Sequence, residues 1–387
     1  MTPVETPVVT TMRDVVVAGT GIAPFTNQPV RIEDITLDAG LAALDDAGLG
    51  FSDIESVYTG YLFMPTMTGV RAMKEFGLTG VPVQHVENAS ATGAACFREA
   101  YLAVAGGHCE VAMAVGFDSM FVAAGSAFRR DTVESAILPA AYFALWARRR
   151  MHDYGTTAET LAEIAAKNWN HARGCTWAQR RADAEVTAEQ VLASRMIAEP
   201  HTSMMSTAVG AGAAVAVLCS GEYARRLGGG GRHVRVLGSA LRSETYSDGH
   251  LFMGPVIGPP QMTRDTAAEL YEATGLGPAD VDLVQVHDAF PIEELLYYEL
   301  LGFCDDGDGD RLVAEGATKI GGRIPFSTDG GLIARGHPGG PTGLAQIHET
   351  VTQLRGEAGN RQVEGASVGL CHIVGGGSVC VAHLLAL

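Results

Sequence analysis

From Asp38 to Ala47 apolar residues recur every three or four positions, which puts them on one face of a helix, and Gly48 follows where a helix closes in the left-handed region. A short apolar strand, Val15 to Ala18, comes before this helix, and a second one is reached through Asp53-Ile54-Glu55-Ser56-Val57. The same order returns at an offset of 227 residues. Strand His233 to Leu237 leads to Asp265-Thr266-Ala267-Ala268-Glu269-Leu270-Tyr271-Glu272-Ala273-Thr274-Gly275, and then to Asp280-Val281-Asp282-Leu283-Val284. Further on, Thr92-Gly93 and Thr342-Gly343 each open a helix, and the two helices lead to the apolar strands Val111 to Val115 and Ser367 to Leu370. Strands alternating with helices in two similar copies predict a duplicated, layered α/β fold. Phe117 to Ser206 has no counterpart in the second copy and is rich in helix formers and aromatics, among them Tyr142, Phe143, Trp146, Trp169 and Trp177. The expected organisation is a first half of residues 1–117 plus 207–231, an inserted cap of residues 118–206, and a second half of residues 232–387.

Composition narrows the function. With 387 residues, 47% hydrophobic and 18% charged, the chain is long enough for several cores and is not a disordered or fibrous sequence. A net charge of −17, with no basic run longer than Arg148-Arg149-Arg150, argues against nucleic acid and anionic membranes as partners. Seven cysteines without a C-x-x-C pair signal neither a disulfide framework nor a metal site. The longest apolar run, Ala208 to Leu218, is too short to span a bilayer, and no signal peptide is legible at the start, so a soluble, cytoplasmic protein is expected.

Four segments carry chemistry: Asn88-Ala89-Ser90-Ala91-Thr92-Gly93, His287-Asp288-Ala289-Phe290, Gly336-His337-Pro338-Gly339-Gly340-Pro341-Thr342-Gly343, and Cys371-His372-Ile373-Val374-Gly375-Gly376-Gly377. In this order, on a duplicated α/β chain, they resemble the thiolase superfamily, in particular its sterol-carrier-protein-type branch. The resemblance covers the whole chain and implies the thiolase fold: two similar halves in a five-layer αβαβα arrangement, with an inserted loop domain over the active site. It also implies a homodimer or dimer of dimers, and acyl transfer between carbon and coenzyme A, used as a co-substrate rather than a tightly bound cofactor.

The family's nucleophile is a cysteine at the turn that opens a buried helix, where the positive helix end favours a thiolate. Ser90 stands at that position here. Three readings stay open: an ordinary thiolase inactivated by a Cys-to-Ser change, a serine activated by His337, or a non-covalent carbon–carbon lyase of aldolase type on the same scaffold. A catalytically silent subunit is a further alternative. Cys96 lies within the helix instead of at its first turn and is read as a buried core residue. The resemblance assigns His337 to activating the nucleophile and His287 to an oxyanion hole through a neutral ring N–H. Cys371 is assigned to proton exchange at the α-carbon, a task His372 could share, and Gly376 to a second oxyanion hole through its backbone N–H. Arg129, Arg130 and Arg148 are candidates for coenzyme A contacts, and relatives of this branch often pair with a small OB-fold, zinc-ribbon protein.

Other patterns fail. Gly19-Thr20-Gly21 lacks the third glycine of a dinucleotide fingerprint, Asp305 to Asp310 lacks the glutamate and glycine of a calcium loop, and Gly228 to Gly231 reads as a flexible crossing between halves.

Overall fold

A computed structural model describes residues 12–119, 139–208, 210–228, 233–251, 254–259 and 261–387. The repeat reappears in it down to single hydrogen bonds. Strand β1 (Val15–Thr26) is followed by helix α1 (Ile32–Ala47), which ends at Gly48 with φ 67°, the left-handed turn that glycine adopts without strain. In the second copy strand β6 (Val234–Ser243) precedes helix α5 (Gln261–Thr274), which ends at Gly275 with φ 69°. Each helix then passes through a single 3₁₀ turn stapled by the repeated aspartate. Gly50 N–H donates to Asp53 Oδ2 and Gly277 N–H to Asp280 Oδ2, both at 2.8 Å.

The remaining strands of the main sheet are β2 (Ser56–Gly60), β3 (Val83–Val86), β4 (Val111–Ser119), β5 (Ala211–Ser220), β7 (Leu283–Gln285), β8 (Val368–Gly375) and β9 (Val379–Ala386). Their order is β7-β8-β9-β6-β1-β5-β4-β2-β3. Among the described residues the strands of the two halves pair only where Val16 and Val17 of β1 meet Arg235 and Val234 of β6, so two half-sheets join edge to edge through one short ladder. The second half-sheet lacks a full partner for β3; in its place Phe326 makes an isolated parallel bridge to Val284. Every residue of β2, β4 and β5 is buried, which is why β4 and β5 read as nearly continuous apolar runs rather than alternating ones.

Helices α2 (Thr92–Ala105) and α7 (Thr342–Leu354) touch each other and strands of both halves, so they form an inner layer. They approach most closely at the two Thr-Gly steps. A Cβ on Gly343 would stand 2.3 Å from the Ala94 nitrogen, and one on Gly93 would stand 2.6 Å from the Gly340 oxygen. Gly343→Ala therefore presses a methyl group on backbone that has no rotamer to give. A loss of at least ~1–3 kcal/mol, the usual cost of overpacking, is expected in urea denaturation; an unchanged midpoint would show that the helices separate freely.

From the segment between the halves come helices α3 (Pro139–Tyr154) and α4 (Ala158–Ala172), which pack through Leu161, Ile164 and Trp146 against α6 (Pro291–Leu300) and its surroundings. Arg129, Arg130 and Gly229 to Gly231 lie outside the described residues. Among the described residues no helix is long and apolar enough to cross a membrane.

Candidate active site

The loop between β3 and α2 holds Ser90. Ala89 has φ 47°, a left-handed value that costs a residue with a side chain, and the turn is fixed on both sides of it. Thr92 Oγ1 accepts the Asn88 N–H at 2.9 Å, and the Thr92 N–H reaches the Ala89 carbonyl at 3.0 Å. From the far side, Gly375 comes so close that a Cβ there would lie 2.0 Å from the Asn88 oxygen. The result is a half-buried hydroxyl just ahead of the first turn of a buried helix.

His337 arrives from the glycine-rich loop before α7, and its Nε2 lies 3.0 Å from Ser90 Oγ. Its other nitrogen, Nδ1, lies 2.8 Å from Thr342 Oγ1, which donates its single proton to the Pro338 carbonyl at 2.6 Å. The threonine oxygen must therefore accept from Nδ1–H, and this leaves the lone pair of Nε2 facing the Ser90 hydroxyl. Burial above all, with the nearby Arg335 charge and the His287 ring adding to it, holds the His337 pKa well below the usual histidine value, so the ring is neutral at pH 7. Asp118, which sequence reading missed, pins this loop: it accepts N–H groups from Leu62 at 2.9 Å, Phe63 at 3.1 Å and Gly340 at 3.2 Å.

His287 is 6% exposed and stands edge-on to His337, with ring centroids 5.2 Å apart. Its Nδ1 lies 2.8 Å from Oε1 of Glu293, a fully buried carboxylate on the first turn of α6 that also accepts from Tyr297 O–H and Phe290 N–H, both at 3.3 Å. A carboxylate collecting donors requires Nδ1 to carry the hydrogen. With the hydrogen on Nδ1, a neutral ring turns the lone pair of Nε2 to the pocket, where a ring N–H is expected for an oxyanion hole.

Ser90, His337, His287, Glu293 and Gly376 line one cavity of about 240 Å³, walled by Leu62, Phe63, Tyr142, Phe143, Trp146 and Phe290. Gly376, with φ 57°, sits across from Ala89. Cys371 does not join them. It is 2% exposed on β8, its sulfur is 3.1 Å from Thr350 Oγ1 on the opposite side of the strand, and burial pushes its pKa up to about 12. Counting two residues back from the first glycine of the cluster reaches Ile373, which packs on Ala91 and Ala94. His372 is buried against the Tyr297 ring at 4.4 Å, and burial lowers its pKa to about 3. Cys96 faces β2, where a Cβ on Gly60 would come within 2.6 Å of its sulfur. Arg148 is exposed and pairs with Glu199 at 3.1 Å.

A duplicated α/β scaffold that points a hydroxyl and a neutral imidazole at each other, at the mouth of a buried helix, has the layout of an acyl-transfer enzyme. Comparison with known proteins gives the family. Residues 15–195 match the thiolase N-terminal domain and residues 248–385 the thiolase C-terminal domain-like family. The chain is 36% identical to an acetyl-CoA acetyltransferase of Methanothermobacter thermautotrophicus, over 96% of this chain and 99% of the relative. It is also 36% identical to the benzoylsuccinyl-CoA thiolase subunit BbsB of Thauera aromatica (94% and 95% covered), and 34% identical to human sterol carrier protein 2 (96% and 72% covered). Among solved structures an Ltp2-ChsH2(DUF35) aldolase superposes with a TM-score of 0.84 at 26% identity, covering 97% of this chain and 98% of that one. Human mitochondrial 3-ketoacyl-CoA thiolase, at 17% identity and a TM-score of 0.75 over 97% and 99% of the two chains, shares the fold. The protein belongs to the thiolase family and is an acyltransferase of the thiolase type.

Proposed function

We propose that the protein forms or cleaves the Cα–Cβ bond of a β-ketoacyl-coenzyme A, with Ser90 carrying the acyl group as an oxygen ester. The observation that supports this most directly is the 3.0 Å contact between Ser90 Oγ and the lone pair of His337 Nε2. In the cleavage direction His337 takes the hydroxyl proton while Oγ attacks the β-keto carbon. The Cα–Cβ bond breaks, and its electron pair leaves on the shortened acyl-coenzyme A as an enolate that is then protonated. The thiol of coenzyme A opens the ester; its proton replaces the one delivered to the enolate, and His337 returns the hydroxyl proton to Ser90, so the enzyme ends unchanged. Gly376, which lines the same cavity as Ser90, is the candidate to offer a backbone N–H to the developing oxyanion.

The small cavity and its aromatic wall suit a compact acyl group, and the relative named for benzoylsuccinyl-CoA supports an aromatic one. The names of a thiolase subunit and of a two-component aldolase support a partner protein, for which a small OB-fold, zinc-ribbon subunit is our candidate; a homodimer is the assembly proposed for the chain itself.

A carbon–carbon lyase without a covalent step is favoured by a different observation. No cysteine lines the cavity among the described residues, and the aldolase is 26% identical. Intact-protein mass spectrometry after incubation with acetyl-CoA and a panel of acyl-CoAs separates the two. An acyl adduct on the native protein that disappears in Ser90→Ala and returns in Ser90→Cys is the expected result. Absence of any adduct on native protein would overturn the oxygen-ester reading in favour of the lyase.

A further inference from the structure

We infer that His287, held by Glu293, is the base that removes the α-proton of the acyl-coenzyme A, a second catalytic residue in the cavity that Ser90 lines. The inference rests on the proposed carbon–carbon chemistry but not on Ser90 forming an ester.

Elimination among the groups lining the cavity leads to it. His337 Nε2 is committed to Ser90, and the Tyr142 hydroxyl donates to the Pro255 carbonyl at 2.6 Å. Both Glu293 oxygens are occupied by donors from His287, Tyr297 and Phe290. His287 Nε2 is buried without a hydrogen-bond partner among the described residues, and its ring lines the same cavity. A buried ring nitrogen left bare costs stability unless something occupies it in the working state. The C–H of a bound thioester suits it, because that proton has nowhere else to go.

The step balances. Nε2 takes the α-proton, the C–H electron pair delocalises into the thioester as an enolate, and the imidazolium so formed donates Nδ1–H to the Glu293 carboxylate, which stabilises the new charge. In the cleavage direction the ring enters protonated at Nε2, gives that proton to the departing enolate, and regains one from the coenzyme A thiol when the ester opens. Glu293 touches no substrate atom; it is a positioning residue that keeps the hydrogen on Nδ1.

Glu293→Gln keeps the shape and removes the charge. Its measured effect is on hydrogen–deuterium exchange at the α-carbon of propionyl-CoA in D₂O, followed by mass spectrometry. Native protein is expected to exchange, while Glu293→Gln and His287→Asn lose ~10²-fold or more. Acylation of Ser90 by acyl-CoA, a step that needs no α-proton, should survive in Glu293→Gln. Unaltered exchange in a folded Glu293→Gln protein, or no exchange in the native protein, overturns the assignment. Loss of acylation together with exchange in Glu293→Gln would also overturn it, by showing Glu293 to be structural. If Ser90 is never acylated, exchange by the native protein still reports on His287, so the two readings fail separately.

Discussion

Replacing His337 with alanine should lower the rate of Ser90 acylation by ~10²–10⁴-fold, the usual worth of a general base, with the fold intact. The more discriminating variant is Thr342→Val. Thr342 gives its proton to Pro338 and accepts from His337 Nδ1–H at 2.8 Å, so it alone decides which ring nitrogen faces Ser90. Valine removes that acceptor. The ring is then free to carry its hydrogen on Nε2, where it faces the serine oxygen and can no longer receive a proton. One lost buried hydrogen bond of roughly 1–3 kcal/mol corresponds to an acylation rate lower by about tenfold to a hundredfold. Thr342→Ser should restore most of it.

The pH profile tests the same arrangement. With its pKa held well below 6.5, His337 is neutral on both sides of that value, so falling pH should not weaken acylation through this group until well below 6.5. An acid limb at pH 6.5, or a Thr342→Val protein as fast as the native one, would remove His337 from the role of oriented base. Stopped-flow acylation monitored by mass spectrometry reads both.

The parts of this site differ in how far local sequence exposes them. The helices and their glycine closures rest on contacts within one turn, and the repeat makes each copy a check on the other, so Gly48 and Gly275 could be placed from spacing alone. The glycine-rich loop around His337 is equally open to reading, because only such a run admits the positive φ of 99°, 57° and 106° at Gly330, Gly331 and Gly336. Asp118 and Glu293 could not be found this way. Asp118 acts on backbone 222 residues away, at Gly340. Glu293 reads as an ordinary acidic residue in the first turn of a helix, a place where such residues are common. Cys371 is instructive in another way, since the information was available. Side chains alternate along a strand, so residues 371 and 374 point to opposite faces of β8. Val374 lines the cavity, and Cys371 therefore turns toward Thr350. The resemblance marked the right end of the strand but not the face. His372 shares a face with Val374 but sits one pleat deeper, against Tyr297.

Lys167→Met should be the most destabilising single change near the site. Lys167 on α4 is 2% exposed at its side chain; its Nζ lies 2.5 Å from Glu294 Oε1 and 3.0 Å from the Phe326 carbonyl. Glu294 is fully buried and also accepts from Tyr298 O–H at 2.5 Å and Asn168 Nδ2 at 2.9 Å. Asn168 continues the chain of contacts to Asp288 Oδ2 at 2.7 Å, and Asp288 Oδ1 holds the Leu332 N–H at 2.8 Å. One network thus ties α4 to the loops that present His287 and His337. Methionine fills the lysine stem but leaves the Glu294 charge buried without its counter-ion, which costs about 3–5 kcal/mol when a buried pair is broken from one side. Burial and the Glu294 charge already hold the Asp288 carboxyl well above its usual range, against the opposing charges of Arg335 and Lys167. The double variant Lys167→Met with Glu294→Gln should recover much of the loss, because it removes the unpaired charge and keeps the side-chain volumes. Urea denaturation of the two single variants and the double completes a thermodynamic cycle. A coupling energy near zero would mean that the pair stands independently and that the network transmits nothing. A large coupling, with Ser90 acylation impaired in Lys167→Met and regained in the double variant, would mean that α4 helps to hold the catalytic loops in register.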